Sequence, residues 1–352
     1  MTLPTSNRSL ARRMATPGPA WIDQVKRAVD ERLGRFFEEK RAHATALADD
    51  AVLVDALATL TMRGGKRLRP AVLVAAFRAV SPDPEWSRVV PAGAALELLQ
   101  SYLLIHDDWM DGDAERRGGP SVHAALRAVH EDAHLADSLA ILSGDMGSAC
   151  AWELMLEATT DVGVLGAFVR MHQEVVLGQQ LDLVRSVDVS RMQRLKTGSY
   201  TVDGPLRVGA LLGRASHAQL EALERFARPL GEAFQLRDDL LGTFGDTRRT
   251  GKPIGGDLRA GKRTALVREA EAQLDAAARA PLDAVLGRAD ASADEVEIAR
   301  RLLETSGARE RVEARLDELL AASARSLANA PLAEPGVSML CDLVAAMGSR
   351  DR

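Results

Sequence analysis

From about Trp21 onward the chain keeps a helical pattern of apolar residues almost to its end, and this pattern is the strongest constraint on its fold. It predicts helices over roughly 21–45, 50–62, 69–79, 89–112, 121–130, 135–158, 162–184, 190–212, 217–241, 262–279, 292–305, 308–328 and 336–347. Glycine and proline set the expected breaks at Gly64-Gly65, Ser81 to Pro84, Gly118 to Pro120, Gly204-Pro205 and Gly245 to Gly256. Aromatic residues are only 4% of the chain while Ala, Leu, Arg and Glu dominate, so helices are favoured and strand-forming clusters are scarce. No solenoid-period repeat and no long Pro/Gly/Ser linker interrupts the pattern, and 46% hydrophobic content supplies a core. The expectation is an all-α, single-domain bundle of stacked helices over 21–350. Residues 1–20 carry Arg8, Arg12 and Arg13 but no apolar run, and are read as a disordered tail rather than a targeting segment.

Bulk chemistry removes several function classes. With 45 basic against 50 acidic residues and no long single-sign block, the chain has no footprint for nucleic acid. Cys150 and Cys341 cannot build a disulfide framework and lack metal-ligand spacing, so both read as thiols of a reducing, cytoplasmic compartment. No uninterrupted apolar run approaches the ~18 residues that mark a transmembrane helix, and no transmembrane segment is expected.

The chemistry begins at LLIHDDWMDGD, where Asp107, Asp108 and Asp111 stand inside an apolar stretch. A step of four residues returns to nearly the same helix face, so Asp107 and Asp111 point together from one stripe. Mg²⁺ favours oxygen ligands and fills its remaining positions with water and substrate phosphates, so the pair suggests a phosphorylated substrate. A second acidic pair, Asp238 and Asp239 in EAFQLRDDLLGTFGD, has Gln235 one turn earlier. Two such helices facing across a bundle would supply carboxylates from opposite walls to a shared cluster of ions.

The basic residues are as selective as the acids. Of 45 basic residues six are Lys, and four of those six lie in GGKRLRP, LKTGSYT, TGKPIGG and RAGKRT. Lys is a compact point charge suited to phosphate where Arg is a planar fork, so its retention at Lys66, Lys196, Lys252 and Lys262 reads as site chemistry. Lys66 with Arg69, and Arg116 with Arg117, form partners for two anions beside the metal. Residues 100, 103, 104, 107 and 111 make one helical stripe, which turns Gln100 toward the space below the metals. His106 falls off that face and His123 follows a Gly-Pro turn; both read as structural hydrogen-bonders.

GGKRLRP, ELLQSYLLIHDDWMDGDAERRGGPSVH, GDMGSA, GQQLDL, KTGSYTVDGPLRVGA, FQLRDDLLGTFGD and GKPIGGDLRAGKRT resemble, in order, the signature segments of the polyprenyl synthetases, or trans-isoprenyl diphosphate synthases. The resemblance spans roughly residues 60–265 and implies helices packed around a deep central cavity. It implies Mg²⁺, typically three ions, held by Asp107, Asp111 and Asp238 with Asp108 and Asp239 in support. It implies a pocket for isopentenyl diphosphate at Lys66, Arg69, Gln100 and Arg117. Arg116, Lys196, Thr197, Gln235, Lys252 and Lys262 would meet the allylic prenyl diphosphate, with Gln179 and Asp182 supporting the same cavity. The implied enzyme is a Mg-dependent prenyltransferase that works as a homodimer.

One position departs from that pattern: a further aspartate often stands four residues after the first of the second pair, where this chain has Gly242. Asp246 would substitute only if the helix ran on through Gly245. The resemblance also implies that bulky residues four or five positions before Asp107 form the cavity floor, here Leu103 and Tyr102, and that they favour geranylgeranyl diphosphate (C20) over farnesyl diphosphate (C15). Two rivals are a class I terpene cyclase, against which the 13 aromatics and the Lys66/Arg69/Arg117 set argue, and a non-catalytic synthase subunit, against which the near-complete motifs argue.

Overall fold

Side-chain caps mark where many helices of this computed structural model begin. Asp132 accepts the N–H groups of His134 and Leu135, Asp161 those of Gly163 and Val164, and Ser216 and Ser292 form capping boxes with Gln219 and Glu295. The structure describes residues 19–46, 51–81, 85–184, 186, 188–245 and 255–348. The helices are α1 Ala20–Ala46, α2 Val52–Met62, α3 Leu68–Val80, α4 Val90–Asp111, α5 Val122–Arg127, α6 Ala133–Ala158, α7 Val162–Leu183, α8 Val189–Gln193, α9 Gly204–Leu212, α10 His217–Phe244, α11 Gly256–Arg259, α12 Ala265–Gln273, α13 Ala276–Asp283, α14 Ala293–Thr305, α15 Ala308–Ser326 and α16 Gly336–Gly348. Among the described residues the only strands are a two-residue antiparallel pair, Glu115–Arg116 with Gly119–Pro120, so the chain is all-α as expected.

One cluster of buried apolar residues runs from Val25 to Met347, with Phe36, Phe37, Phe77, Phe168 and Phe226 among its largest members. Helix α4 lies along α6, α9 packs on α3, and α10 packs on α15. The tail expected over 1–20 lies up to residue 18 outside the described residues, and Ala20 already belongs to α1. One helical stretch, Trp86–Asp111, is by length and composition apolar enough to cross a membrane. Its most apolar window is 67% buried against the other helices, which explains the composition: a core helix is apolar on most sides.

Two expected boundaries are corrected. Gly204-Pro205 is not a break: the helical path continues from Val189 to Leu212, and Pro205 sits in the first turn of α9, where its missing N–H costs little. The chain widens instead just before it, into a π-helical stretch at Arg194–Asp203. The helix expected over 262–279 divides into α12 and α13, because Asp275 caps the second piece by accepting Ala278 N–H at 2.8 Å.

Candidate active site

The first acidic motif ends α4 and splits by face. Asp107 accepts a hydrogen bond from Lys196 Nζ at 3.0 Å, and the same ammonium reaches Asp182 Oδ2 at 2.5 Å. Burial alone would raise the Asp107 carboxyl; Lys196 outweighs it, with Arg116 and Lys262, and holds it below the usual carboxylate range. Burial likewise depresses Lys196, yet Asp107 and Asp182 leave its ammonium well above an ordinary lysine. Asp108 turns inward, fully buried, and pairs with Arg116, whose Nε lies 2.7 Å from Oδ1. Burial pushes Asp108 up to about 6. Asp111, at the last turn, is exposed and raised by burial in the cleft and by Asp107.

Lys196 stands where it does because two helices nearly touch. A Cβ on Gly178 of α7 would overlap the backbone N of Lys196, so only glycine lets α7 approach the π stretch this closely. Local widening of a helix is a frequent device for aiming functional side chains. Lys196, Thr197 and Tyr200 all leave that stretch toward one cavity.

The second pair, on α10, splits the same way. Asp239 is buried and accepts Ala265 N–H at 2.9 Å and Gln235 Nε2 at 2.8 Å, tying α10 to the start of α12. Gln235 therefore braces Asp239. Asp238 is exposed; desolvation by the protein near it, then Asp239 and Asp257 against Arg69 and Lys66, pushes it up to about 7. Burial lowers Lys262, but Asp257 first and then Asp111 and Asp107 raise it, so its ammonium lies among carboxylates of α11 and of the end of α4. Lys252 lies outside the described residues, as does Asp246.

Beside the acids is an arginine pocket. Arg69 stacks on the Tyr200 ring at 4.2 Å and donates to Thr201 Oγ1 at 3.0 Å. Arg117, in a left-handed conformation with φ 54°, lays its guanidinium over Gly65, next to exposed Lys66. Burial, together with Arg67, Arg69 and Arg116 and against Glu97, pulls Arg117 below an ordinary arginine. Such a pocket has surplus positive charge and suits an anion. The loop that carries it is pinned by Arg67, which donates to Asp30 at 2.8 Å, Glu97 at 2.6 Å and Thr61 O at 2.8 Å.

A cavity of about 270 Å³ opens beneath Asp107 and Lys196. It is lined by Tyr102, Leu103, Leu104, His106, Met110, Val175, Val176, Gln179, Gln180, Leu183, Thr197 and Tyr200 besides those two. Leu103, Leu104 and Asp107 of the expected stripe line the cavity together with Tyr102, His106 and Met110, while Gln100, half-buried, lies one turn before the stretch of α4 that the cavity reaches. His106 accordingly does face the cavity, while its Nε2 also meets Ile141 O at 3.0 Å. His123 is buried against Ser121 Oγ at 3.2 Å, a structural contact. Tyr102 lies edge-on between His106 and His172, with ring centroids 4.8 and 5.2 Å away. The sequence reading did not single out His172; an apolar helix face gives no sign of which partner it will meet.

Among the described residues no three carboxylate, His or Cys side chains converge tightly enough to hold a metal by themselves. The donor set nevertheless fits a hard divalent cation that completes its shell with water and phosphate oxygen. Asp111 and Asp238 are both raised partly by neighbouring carboxylates, the surplus of negative charge that such a cation neutralises.

The polyprenyl synthetase family model matches residues 50–303. The chain is 34% identical over 271 residues to a short chain isoprenyl diphosphate synthase of Methanocaldococcus jannaschii, covering 74% of this chain and 79% of that protein. It is 32% identical over 253 residues to a geranylgeranyl diphosphate synthase of Saccharolobus solfataricus, covering 68% and 73%. The crystal structure of a geranylgeranyl pyrophosphate synthase from Corynebacterium glutamicum, complexed with isoprenyl diphosphate and magnesium, superposes with a TM-score of 0.86 at 31% identity, covering 94% of this chain and 99% of that one.

Proposed function

Because this chain belongs to the polyprenyl synthetase family and is a prenyltransferase, we propose that it condenses isopentenyl diphosphate with C5 to C15 allylic diphosphates to give geranylgeranyl diphosphate. The observation that carries the reading is Lys196, which bonds Asp107 and Asp182 at the wall of the cavity, beside an arginine pocket short of negative charge.

Asp107, Asp111 and Asp238 would hold Mg²⁺, three ions in this reading, with Asp108 and Asp239 fixing the helices behind them. The metal supplies charge neutralisation at a departing diphosphate. Lys196, Thr197, Arg116, Lys252 and Lys262 take the allylic diphosphate, and Gln179 and Asp182 support that side. Concentrating cations where negative charge grows stabilises the transition state more than the ground state and speeds C–O cleavage. Lys66, Arg69 and Arg117 hold isopentenyl diphosphate, so its double bond meets the allylic cation without a bimolecular search. The new C–C bond forms, a proton leaves the adjacent carbon to the released diphosphate, and the product is one isoprene unit longer. In this reading its tail descends into the cavity that Tyr102 and Leu103 help to line and stops at them, giving C20 rather than the alternative C15.

A homodimer belongs to the same reading. Leu135, Leu142 and Leu156 of α6 are 46%, 49% and 53% exposed at spacings of seven and fourteen residues, a face suited to a second copy. Cys150 and Cys341 form no disulfide with each other, which supports a reducing, cytoplasmic setting.

The test is incubation of the purified chain with Mg²⁺, labelled isopentenyl diphosphate and, separately, C5, C10 and C15 allylic diphosphates, followed by chain-length analysis. Incorporation with a C20 product is expected. A cyclised hydrocarbon without incorporation would establish the cyclase instead.

A further inference from the structure

The arginine pocket includes a turn that arginine does not favour. Arg117 and Gly118 join the two-residue strands Glu115–Arg116 and Gly119–Pro120, and both have positive φ, 54° and 70°. That is the geometry of a type I′ hairpin turn, where a residue with a Cβ is disfavoured at either centre. Contacts from outside the turn must therefore hold Arg117. Arg63, directly after α2, supplies them: its Nη1 donates to Arg116 O at 3.0 Å and to Pro120 O at 2.7 Å, one carbonyl from each strand. The guanidinium lies against Gly119, where a Cβ would stand 2.9 Å from Nη1 and 3.0 Å from Cζ. Gly119 is the space that admits it.

Arg63 also immediately precedes Gly64-Gly65, so one residue joins the glycine loop of Lys66 and Arg69 to the hairpin of Arg117. The two hairpin arginines depend on it unequally. Arg116 is anchored by its own side chain, to Asp108 at 2.7 Å and Asp113 at 3.3 Å. Among the described residues Arg117 bonds only Leu60 O, at 3.2 Å. Release of the hairpin therefore falls on Arg117.

Resting on the reading that Arg117 binds isopentenyl diphosphate, we propose that Arg63 is a positioning residue for that substrate, clipping the hairpin to the end of α2 so that Arg117 stays aimed over Gly65 beside Lys66. Its two bonds are charge-assisted and come from one nitrogen, so a single side chain fixes both strands.

Arg63→Met, Gly119→Ala and the double variant of the full chain test this, with thermal melting as the check on folding. Gly119 is not one of the positive-φ glycines, so alanine suits its backbone, and the added methyl displaces only the far end of a flexible side chain. Each single variant is expected to raise KM for isopentenyl diphosphate by about 10- to 100-fold, the range for a hydrogen bond to a charged group. The kcat at saturation and KM for the allylic diphosphate should stay unchanged. The double variant should be no worse than the worse single one, because both substitutions remove the same clip. Wild-type KM in Arg63→Met, an equal loss for both substrates, or losses that multiply in the double variant overturns the proposal. If Arg63→Met does not melt cooperatively, Gly119→Ala decides: an unchanged KM ends the proposal, and a selective rise at unchanged melting temperature upholds it. A wild-type chain that incorporates no isopentenyl diphosphate brings down the prenyltransferase reading, and this with it. An active wild type beside an indifferent Arg63→Met brings down the inference by itself.

Discussion

Lys196 and Asp107, 89 residues apart in sequence, share a 3.0 Å hydrogen bond that joins the π-helical stretch to the end of α4. The pair puts a cation on the acidic wall at the mouth of the cavity, where the proposed reaction develops negative charge.

Asp107→Ala should abolish turnover, by about a thousandfold or more, the upper range for loss of one charge-stabilising group. The helix content should stay unchanged by circular dichroism. Normal turnover would remove Asp107 from the metal set.

Lys196→Met should move the acid limb of the pH profile upward. Asp107 is depressed chiefly by Lys196, so it is ionised to lower pH than an ordinary carboxyl, and losing the ammonium lets burial raise it. The residual kcat/KM measured against pH reports this; an unmoved limb means another group sets it.

Asp238 should release protons when Mg²⁺ binds. With its carboxyl at about 7, roughly half the free protein is protonated there at pH 7, and a metal ligand must give that proton up. Calorimetry in two buffers of different ionisation enthalpy should show the release, absent in Asp238→Asn. The sign for folding is opposite to that of a paired carboxylate. The folded value lies above the ordinary 3.8, so the contribution of Asp238 to stability is full below that value and is lost as pH rises toward 7.

Tyr102→Ala should lengthen the product by one or more isoprene units, since the ring wedged between His106 and His172 closes the cavity on the α4 side. Product chromatography reads the change. An unaltered length would place the floor on α7 instead.

Glu97→Ala should cost about 3 kcal/mol in urea unfolding, the low end for removing one member of a buried ion pair, because Asp30 and Thr61 O still hold Arg67. Arg67 and Glu97 are 3% and 2% exposed, so water cannot replace the lost partner. The arginine pocket rides on the loop that Arg67 pins, so the binding of inorganic pyrophosphate should weaken in the same variant.

Much of the site was legible because its residues are close in sequence as well as in space. Asp107 and Asp111 share a face through the helical repeat itself, and Lys66 and Arg69 are kept together by one glycine turn and the first turn of α3. Gln100 shows the limit of that arithmetic. Its angle relative to Asp107 follows from the repeat, but the cavity reaches only the part of α4 from Tyr102 to Met110, which is decided by where α7 and the π stretch lie.

By itself, then, the sequence determined an all-α chain with two acidic helices, basic glycine loops and the chemistry those residue types permit, since periodicity and residue type are local properties. Tertiary structure alone decided that Asp108 and Asp239 turn inward while Asp107 meets Lys196 and Asp238 stays exposed, and that Lys262 lies 3.6 Å from Asp257. The reason is geometric: the helical repeat sets angles within one helix, but only packing sets the rotation of one helix against another and the volumes left between them.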